Sequence, residues 1–181
     1  RNDYIKYKAL KTSNLNDIDL DSTKETIIVC PLKATNFSNY YSNKTMEKYL
    51  KIIKENFDFN IVVKLHPTDI RLSRSKESVF NSKEYQVCKT EDFYPLLKKS
   101  KIILSQFSSV GLESAITETP HLYFDKYSKT GQMDMLYNQD KMKVGHGINR
   151  SNLCRTINSV LNQDISFDFK NFNKHFSNDI D

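Results

Sequence analysis

From Thr26 onward, short apolar runs rich in β-branched residues alternate with stretches of helical periodicity. Thr26 to Leu32, Ile61 to Leu65, Tyr85 to Cys88, Lys101 to Ser105 and Pro120 to Phe124 predict strands. Most of these runs are apolar on both faces, which is the pattern of a parallel sheet covered on both sides. Between the first two, Met46, Tyr49, Leu50, Ile53 and Phe57 share one helical face, with Ser42 or Asn43 as N-cap and Glu47 in the first turn. A shorter helix is expected over Asp92 to Ser100, with Pro95 tolerated in its first turn, and another from the Ser108-Ser109 pair to a stop before Pro120. Leu153, Ile157, Val160 and Leu161 share a face behind a Ser151 cap, and Phe169, Phe172 and Phe176 are spaced for a last short helix. The alternation predicts an α/β fold, a Rossmann-like doubly wound parallel sheet whose ligands sit beyond the carboxyl ends of the strands.

That rule makes each segment following a strand a candidate site. Lys64-Leu65-His66-Pro67 ends the second strand, where proline stops it and leaves His66 at the crevice mouth. An imidazole there can donate to a phosphate oxygen and stabilise a departing nucleotide, although the same position suits a histidine in an ordinary turn. Ser105-Gln106-Phe107-Ser108-Ser109-Val110-Gly111-Leu112-Glu113 runs from strand end to helix start. Ser108 and Ser109, with free backbone N–H groups, can bind an anion, or one of them simply caps the helix. Glu113, one turn in, can accept hydrogen bonds from both hydroxyls of a ribose; taken singly, an exposed helical glutamate is the plainer reading. Together, a histidine, a hydroxyl pair and an acid at neighbouring strand ends describe a phosphate-and-ribose pocket. In the loop from Lys33 to Tyr41, Lys33, Thr35 and Asn36 are placed to meet the diphosphate or acceptor side, unless that loop is only a polar connection. Gly145-His146-Gly147 reads as a tight turn or a loop near the pocket.

Composition narrows the picture. At 181 residues and 38% hydrophobic content, the chain accommodates one domain, with residues 1–25 a polar lead-in and 26–181 the ordered domain. A net charge of +5 suits a protein that handles anions, but the lysines are scattered among acids and form no basic-aromatic groove for nucleic acid. Cys30, Cys88 and Cys154 are odd in number and far apart, as reduced core thiols would be, so neither a disulfide framework nor a metal site is expected. No apolar run approaches the ~20 residues that span a bilayer, and no signal-peptide pattern opens the chain, which is read as soluble and cytoplasmic. The P-loop, GxGxxG, HExxH and GxSxG patterns are missing from the sequence.

The order of Arg1-Asn2-Asp3, a strand ending near Pro31, Lys64-Leu65-His66-Pro67, Asp92 through Leu96-Leu97 to Ser105-Gln106-Phe107-Ser108-Ser109, Pro120 and Phe176-Ser177-Asn178-Asp179 resembles the C-terminal half of CDP-glycerol glycerophosphotransferases of teichoic acid synthesis. Similar histidine-proline and serine-serine pairs occur in bacterial sialyltransferases and capsule Kdo transferases of the two-domain glycosyltransferase-B architecture. The resemblance implies a donor-binding domain in which His66, Ser108 and Ser109 hold the phosphates of a CDP-, CMP- or UDP-linked donor, with no metal required. At Gly111-Leu112-Glu113 the chain departs from the glycerophosphotransferases, which have bulky apolar residues and an aspartate there. It is more like general glycosyltransferases, whose glutamate binds ribose, so glycerol phosphate, a sialic-acid-like sugar and a hexose all remain open as the transferred group.

The resemblance further implies a polysaccharide or lipid-linked acceptor, a contact with the inner face of the membrane, and an N-terminal domain that this chain lacks. Donor binding with little or no turnover by this piece alone is therefore expected. A nucleotide-sugar epimerase of the same fold and a non-catalytic interaction domain of a polysaccharide assembly are the alternatives.

Overall fold

The computed structural model describes residues 20–32, 37–66, 85–88, 93–106, 108, 110–124 and 143–177. Among them, strands β1 (Glu25–Cys30), β2 (Phe59–Lys64), β3 (Gln86–Cys88), β4 (Ile102–Ser105), β5 (His121–Phe124) and β6 (Gly145–Ile148) form one sheet. Its order is β3-β2-β1-β4-β5-β6, with every neighbouring pair parallel. The helices are α1 (Phe37–Asn56), α2 (Phe93–Lys99), α3 (Val110–Ile116), α4 (Leu153–Leu161) and α5 (Phe169–Ser177). This is the doubly wound α/β fold that the alternation predicts. Among the described residues, no helix is long and apolar enough to cross a membrane.

The side-chain alternation of β1 divides the core. Ile27 and Val29 face α1 and α4 through Met46, Leu50, Ile53, Leu153 and Ile157. Ile28 and Cys30 face α2 through Phe93, Leu96 and Leu97. Farther along this second face, Tyr123 of β5 packs with Ala115 of α3 and Phe172 of α5. Each fully buried aliphatic side chain of β1 contributes about 2–3 kcal/mol by leaving water, which accounts for a strand with no polar side chain between Thr26 and its end. The chain is anchored before β1 begins: the Asn60 amide donates to the carbonyls of Asp21 and Lys24 at 2.8 and 3.2 Å and accepts from the Asp21 N–H at 3.3 Å.

Three local expectations are corrected. Gly145-His146-Gly147 is not a turn but part of edge strand β6, held by its backbone ladder to β5 and by burial of Val144 and Ile148. Glycine suits the strand there because a Cβ on Gly147 would stand 3.3 Å from the Tyr123 ring. Asn43 is no N-cap, since α1 already begins at Phe37 and Asn43 lies buried within it. Ser151 does not cap α4 either: the Asn149 side chain accepts from the N–H groups of Ser151 and Asn152, and Asn152 occupies the cap position without a side-chain bond.

Helices α3 and α4 both end in a paired-bond reversal. Thr119 N–H bonds the Ser114 carbonyl at 2.8 Å and Glu118 N–H that of Ala115 at 3.1 Å; Asp164 N–H bonds Ser159 at 2.8 Å and Gln163 N–H bonds Val160 at 3.1 Å. The reversal forces Glu118 and Gln163 to φ of 58° and 63°, where a Cβ crowds the backbone. Gln163→Gly and Glu118→Gly are each expected to stabilise the domain by about 0.5 kcal/mol or more in urea denaturation, because relief of that crowding outweighs the added freedom of the unfolded chain.

Candidate functional site

The strand order reverses between β1 and β4. The chain leaving β1 enters α1 on one face, and the chain leaving β4 enters α3 on the other, so their carboxyl ends part and leave a crevice. Cys30 and Ser105 are register partners across that point. Lys64 ends β2, on the other side of β1.

On the β1 side, the buried Asn43 amide clamps the departing chain: Leu32 N–H donates to Asn43 Oδ1 at 2.9 Å, and Asn43 Nδ2 donates to the Leu32 carbonyl at 2.8 Å. This bond pair fixes where the loop starts. Lys33, Thr35 and Asn36 themselves lie outside the described residues. Past the end of β2, Leu65 is buried in the α1-side core and His66 is exposed, two residues beyond Lys64 at the same edge of the sheet.

On the β4 side, Ser105 and Gln106 are buried. Ser105 Oγ donates to the Gln106 carbonyl at 2.9 Å and lies 2.7 Å from His121 Nε2. The donor of the shorter bond is set by the imidazole tautomer. Burial also pushes the imidazole down to about 3, and the pair is closed to solvent. It therefore braces the turn after β4 and performs no nucleophilic chemistry. Ser108 is half-buried, and its Oγ accepts from the Val110 N–H at 3.3 Å, the capping role that the sequence also allowed. Ser109 lies outside the described residues.

Glu113 stands in the first turn of α3, half-buried. Burial raises its carboxyl above the ordinary range, while the Lys64 charge and a hydrogen bond from the Tyr94 hydroxyl pull it back. The Lys64 ammonium sits 4.5 Å from the centroid of the Phe93 ring. Glu113 and Lys64 also act on the buried Cys30 thiol, which desolvation pushes up to about 12, so that cysteine stays neutral and is no nucleophile. The relation of α3 to α2 is fixed by Thr119, whose buried hydroxyl donates to the Leu97 carbonyl at 2.9 Å.

Glu113 thus feels the charge of Lys64 and the Tyr94 hydroxyl, and Ser108 and His66 lie at the same sheet edge. His146, in contrast, belongs to β6, two strands removed from β4. Lys64 and Tyr94 were not among the expected site residues. Lys64 had one legible signal, a lone cation closing an otherwise apolar strand; Tyr94 had none, because its partner is set by helix packing.

A doubly wound parallel sheet with polar residues at its strand reversal has the Rossmann-like α/β fold. No family model matches the sequence, and no curated protein matches it significantly. Among solved structures it is similar to the UDP-GlcNAc 2-epimerase from Methanocaldococcus jannaschii, at 18% identity and a TM-score of 0.59 over 90% of this chain and 44% of that one. It is likewise similar to the wall teichoic acid polymerase TagF, at 15% identity and a TM-score of 0.57 over 97% of this chain and 42% of that one. The chain has the fold of one half of a glycosyltransferase-B-type enzyme and spans less than half the length of these structures.

The buried His121 makes stability sensitive to acid. Its folded value of about 3 lies below the ordinary 6.5, so the unfolded chain takes up the proton first, and stability falls as pH drops from about 6.5 toward about 3. Between pH 7 and pH 5 this group should remove roughly 2 kcal/mol from the unfolding free energy. His121→Gln, which keeps a hydrogen-bonding group for Ser105 without a titrating ring, should flatten that part of the profile in urea titrations at the two pH values.

Proposed function

We propose that this domain binds the nucleotide-activated donor of an enzyme that builds a bacterial surface polymer, a glycosyl- or glycerophosphotransferase of the two-domain glycosyltransferase-B type. The observation that carries the reading is the half-buried Glu113 at the start of α3, beside the β1/β4 reversal, with Ser108 and His66 at the same edge of the sheet. An acid in that position is suited to the two hydroxyls of a ribose. Ser108, Ser109 and His66 supply hydrogen bonds to the phosphates, and Lys33, Thr35 and Asn36 follow the clamped Leu32 toward the diphosphate or acceptor. Helix α3 spans only seven residues, so the hydroxyls and the imidazole, rather than a long helix dipole, would carry the anion binding.

The transfer we infer is an inverting displacement. An acceptor hydroxyl attacks the donor's transferred group, the bond to the nucleotide phosphate breaks, and the electron pair leaves with the nucleotide. His66 offsets the charge that develops there. The acceptor's proton passes to a base on the companion half, which also presents the polysaccharide or lipid-linked acceptor at the inner face of the membrane. The donor is CDP-, CMP- or UDP-linked, and the chain alone turns over little of it.

A second reading, a nucleotide-sugar epimerase, is supported by the likeness in fold to the Methanocaldococcus jannaschii enzyme. Formation of an epimer by the full-length protein with no acceptor present would favour it over transfer.

Calorimetric titration with CDP, CMP and UDP tests donor binding. At least one should bind at millimolar concentration or tighter, and Glu113→Ala and His66→Ala should each weaken it about 10-fold or more, the cost of a lost hydrogen bond to a charged group. Absence of heat with all three nucleotides, or variants that bind like the parent, would overturn the reading.

A further inference from the structure

The buried side chains described on α1 are Asn43, Met46, Leu50 and Ile53, at the spacing of one helical face, and Asn43 is the polar one among them. Asparagine is a poor helix former, and a buried amide is tolerated only where its hydrogen bonds are made. Here both are made to one residue. The β1 ladders end at Val29 toward β2 and at Cys30 toward β4, so Leu32 lies beyond both, where the chain has left the sheet. Its N–H donates to Asn43 Oδ1 at 2.9 Å, and its carbonyl accepts from Asn43 Nδ2 at 2.8 Å. The side-chain amide thus offers Leu32 the acceptor and the donor that a neighbouring strand would have supplied. Only one seating works, because a flipped amide would set N–H against N–H and oxygen against oxygen. Pro31, immediately before, has a fixed φ and removes one more freedom from the same exit.

We propose that Asn43 is a positioning residue for donor binding: its amide holds the chain at Leu32 in one exit direction, so that the segment bearing Lys33, Thr35 and Asn36 starts from a fixed point beside the β1/β4 reversal. This rests on the donor-binding reading for its purpose, while the clamp itself rests on geometry. Packing alone does not call for an amide there. Met46, Leu50 and Ile53 already seat α1 against Ile27 and Val29, and an apolar residue at position 43 would extend that stripe without desolvating a polar group. What an apolar side chain cannot do is grip the Leu32 backbone. A segment that starts from a fixed backbone loses less conformational freedom when a ligand closes on it, so the clamp acts on affinity through pre-organisation rather than through contact.

The test compares affinity with stability. Asn43→Leu removes both bonds at similar side-chain size, whereas Ile53→Val, farther along the same face, loosens α1 on the sheet without touching the clamp. By calorimetry, Asn43→Leu should weaken whichever of CDP, CMP and UDP binds the parent chain by about 10-fold, equivalent to fixing about one backbone residue. Ile53→Val should lower the urea midpoint yet bind within about 2-fold of the parent, as a site remote from the ligand does. A folded Asn43→Leu that binds like the parent overturns the proposal and leaves the donor reading standing; an equal loss of affinity in Ile53→Val also overturns it. If Asn43→Leu does not fold, amide exchange of the parent decides: nucleotide at about ten times its dissociation constant should slow exchange at Leu32 about 10-fold, and an unchanged rate overturns the proposal. If no nucleotide binds the parent, the donor reading fails, and the clamp is judged by backbone amide shifts. Asn43→Leu should then displace those of Lys33, Thr35 and Asn36 while Ile53→Val leaves them in place, and displacement by neither overturns the positioning role as well.

Discussion

The constraint on which the structure depends is the burial of an all-parallel sheet on both of its faces. Parallel strands cannot be joined by tight turns, so each chain segment leaving a strand must cross back over a face. With the order β3-β2-β1-β4-β5-β6, the segments leaving β1 and β4 turn to opposite faces. At the point from which they diverge, the neighbouring strands β2 and β4 end in the polar residues Lys64 and Ser105. The strand interiors show the complement. Ile28, Val29, Val62, Val63, Ile103 and Leu104 are fully buried, and in β2 and β4 the residue that closes the strand, Lys64 or Ser105, is polar. The crevice is thus a consequence of topology before any particular side chain occupies it.

Much of this was legible in the sequence because its signals are local. The five apolar runs became strands, with ends displaced by a residue or two, since two-sided burial leaves few other places for such residues. The final helix followed from the spacing of Phe169 and Phe172, of which Phe172 is buried against Ala115 and Tyr123. β6 was not legible, because Gly145-His146-Gly147 carries turn chemistry and becomes a strand only through its ladder to β5 and the Tyr123 ring over Gly147. Asn43 was misread for a related reason: asparagine before an apolar helical face resembles a cap, yet its amide is used across the fold on Leu32. Strand ends pointed to Glu113, Ser108 and His66 as candidates, whereas the electrostatic pairing of Glu113 with Lys64 and Tyr94 brings in segments from three different connections. That pairing depends on how α2 sits beside α3, which the Thr119 bond to Leu97 fixes and no periodicity encodes.

The electrostatics of the crevice edge follow from the same burial. A carboxylate on a shielded helix turn loses hydration, which is why the Glu113 carboxyl rises; a nearby cation and a hydroxyl donor recover part of what is lost. The balance is incomplete, and incompleteness is useful. An ionised carboxylate offers about four lone-pair sites, of which one hydroxyl such as that of Tyr94 can fill only one. In a setting of reduced dielectric, bonds to those remaining sites are stronger than they would be on an exposed helix. Neutrality of the buried Cys30 thiol serves the same end, because a second anion beneath Glu113 would compete for Lys64 and favour protonation of the acid. A neutral diol arriving at this edge would restore to Glu113 the hydrogen bonds that burial withdrew, whereas a ligand without donors would leave the acid poorly solvated.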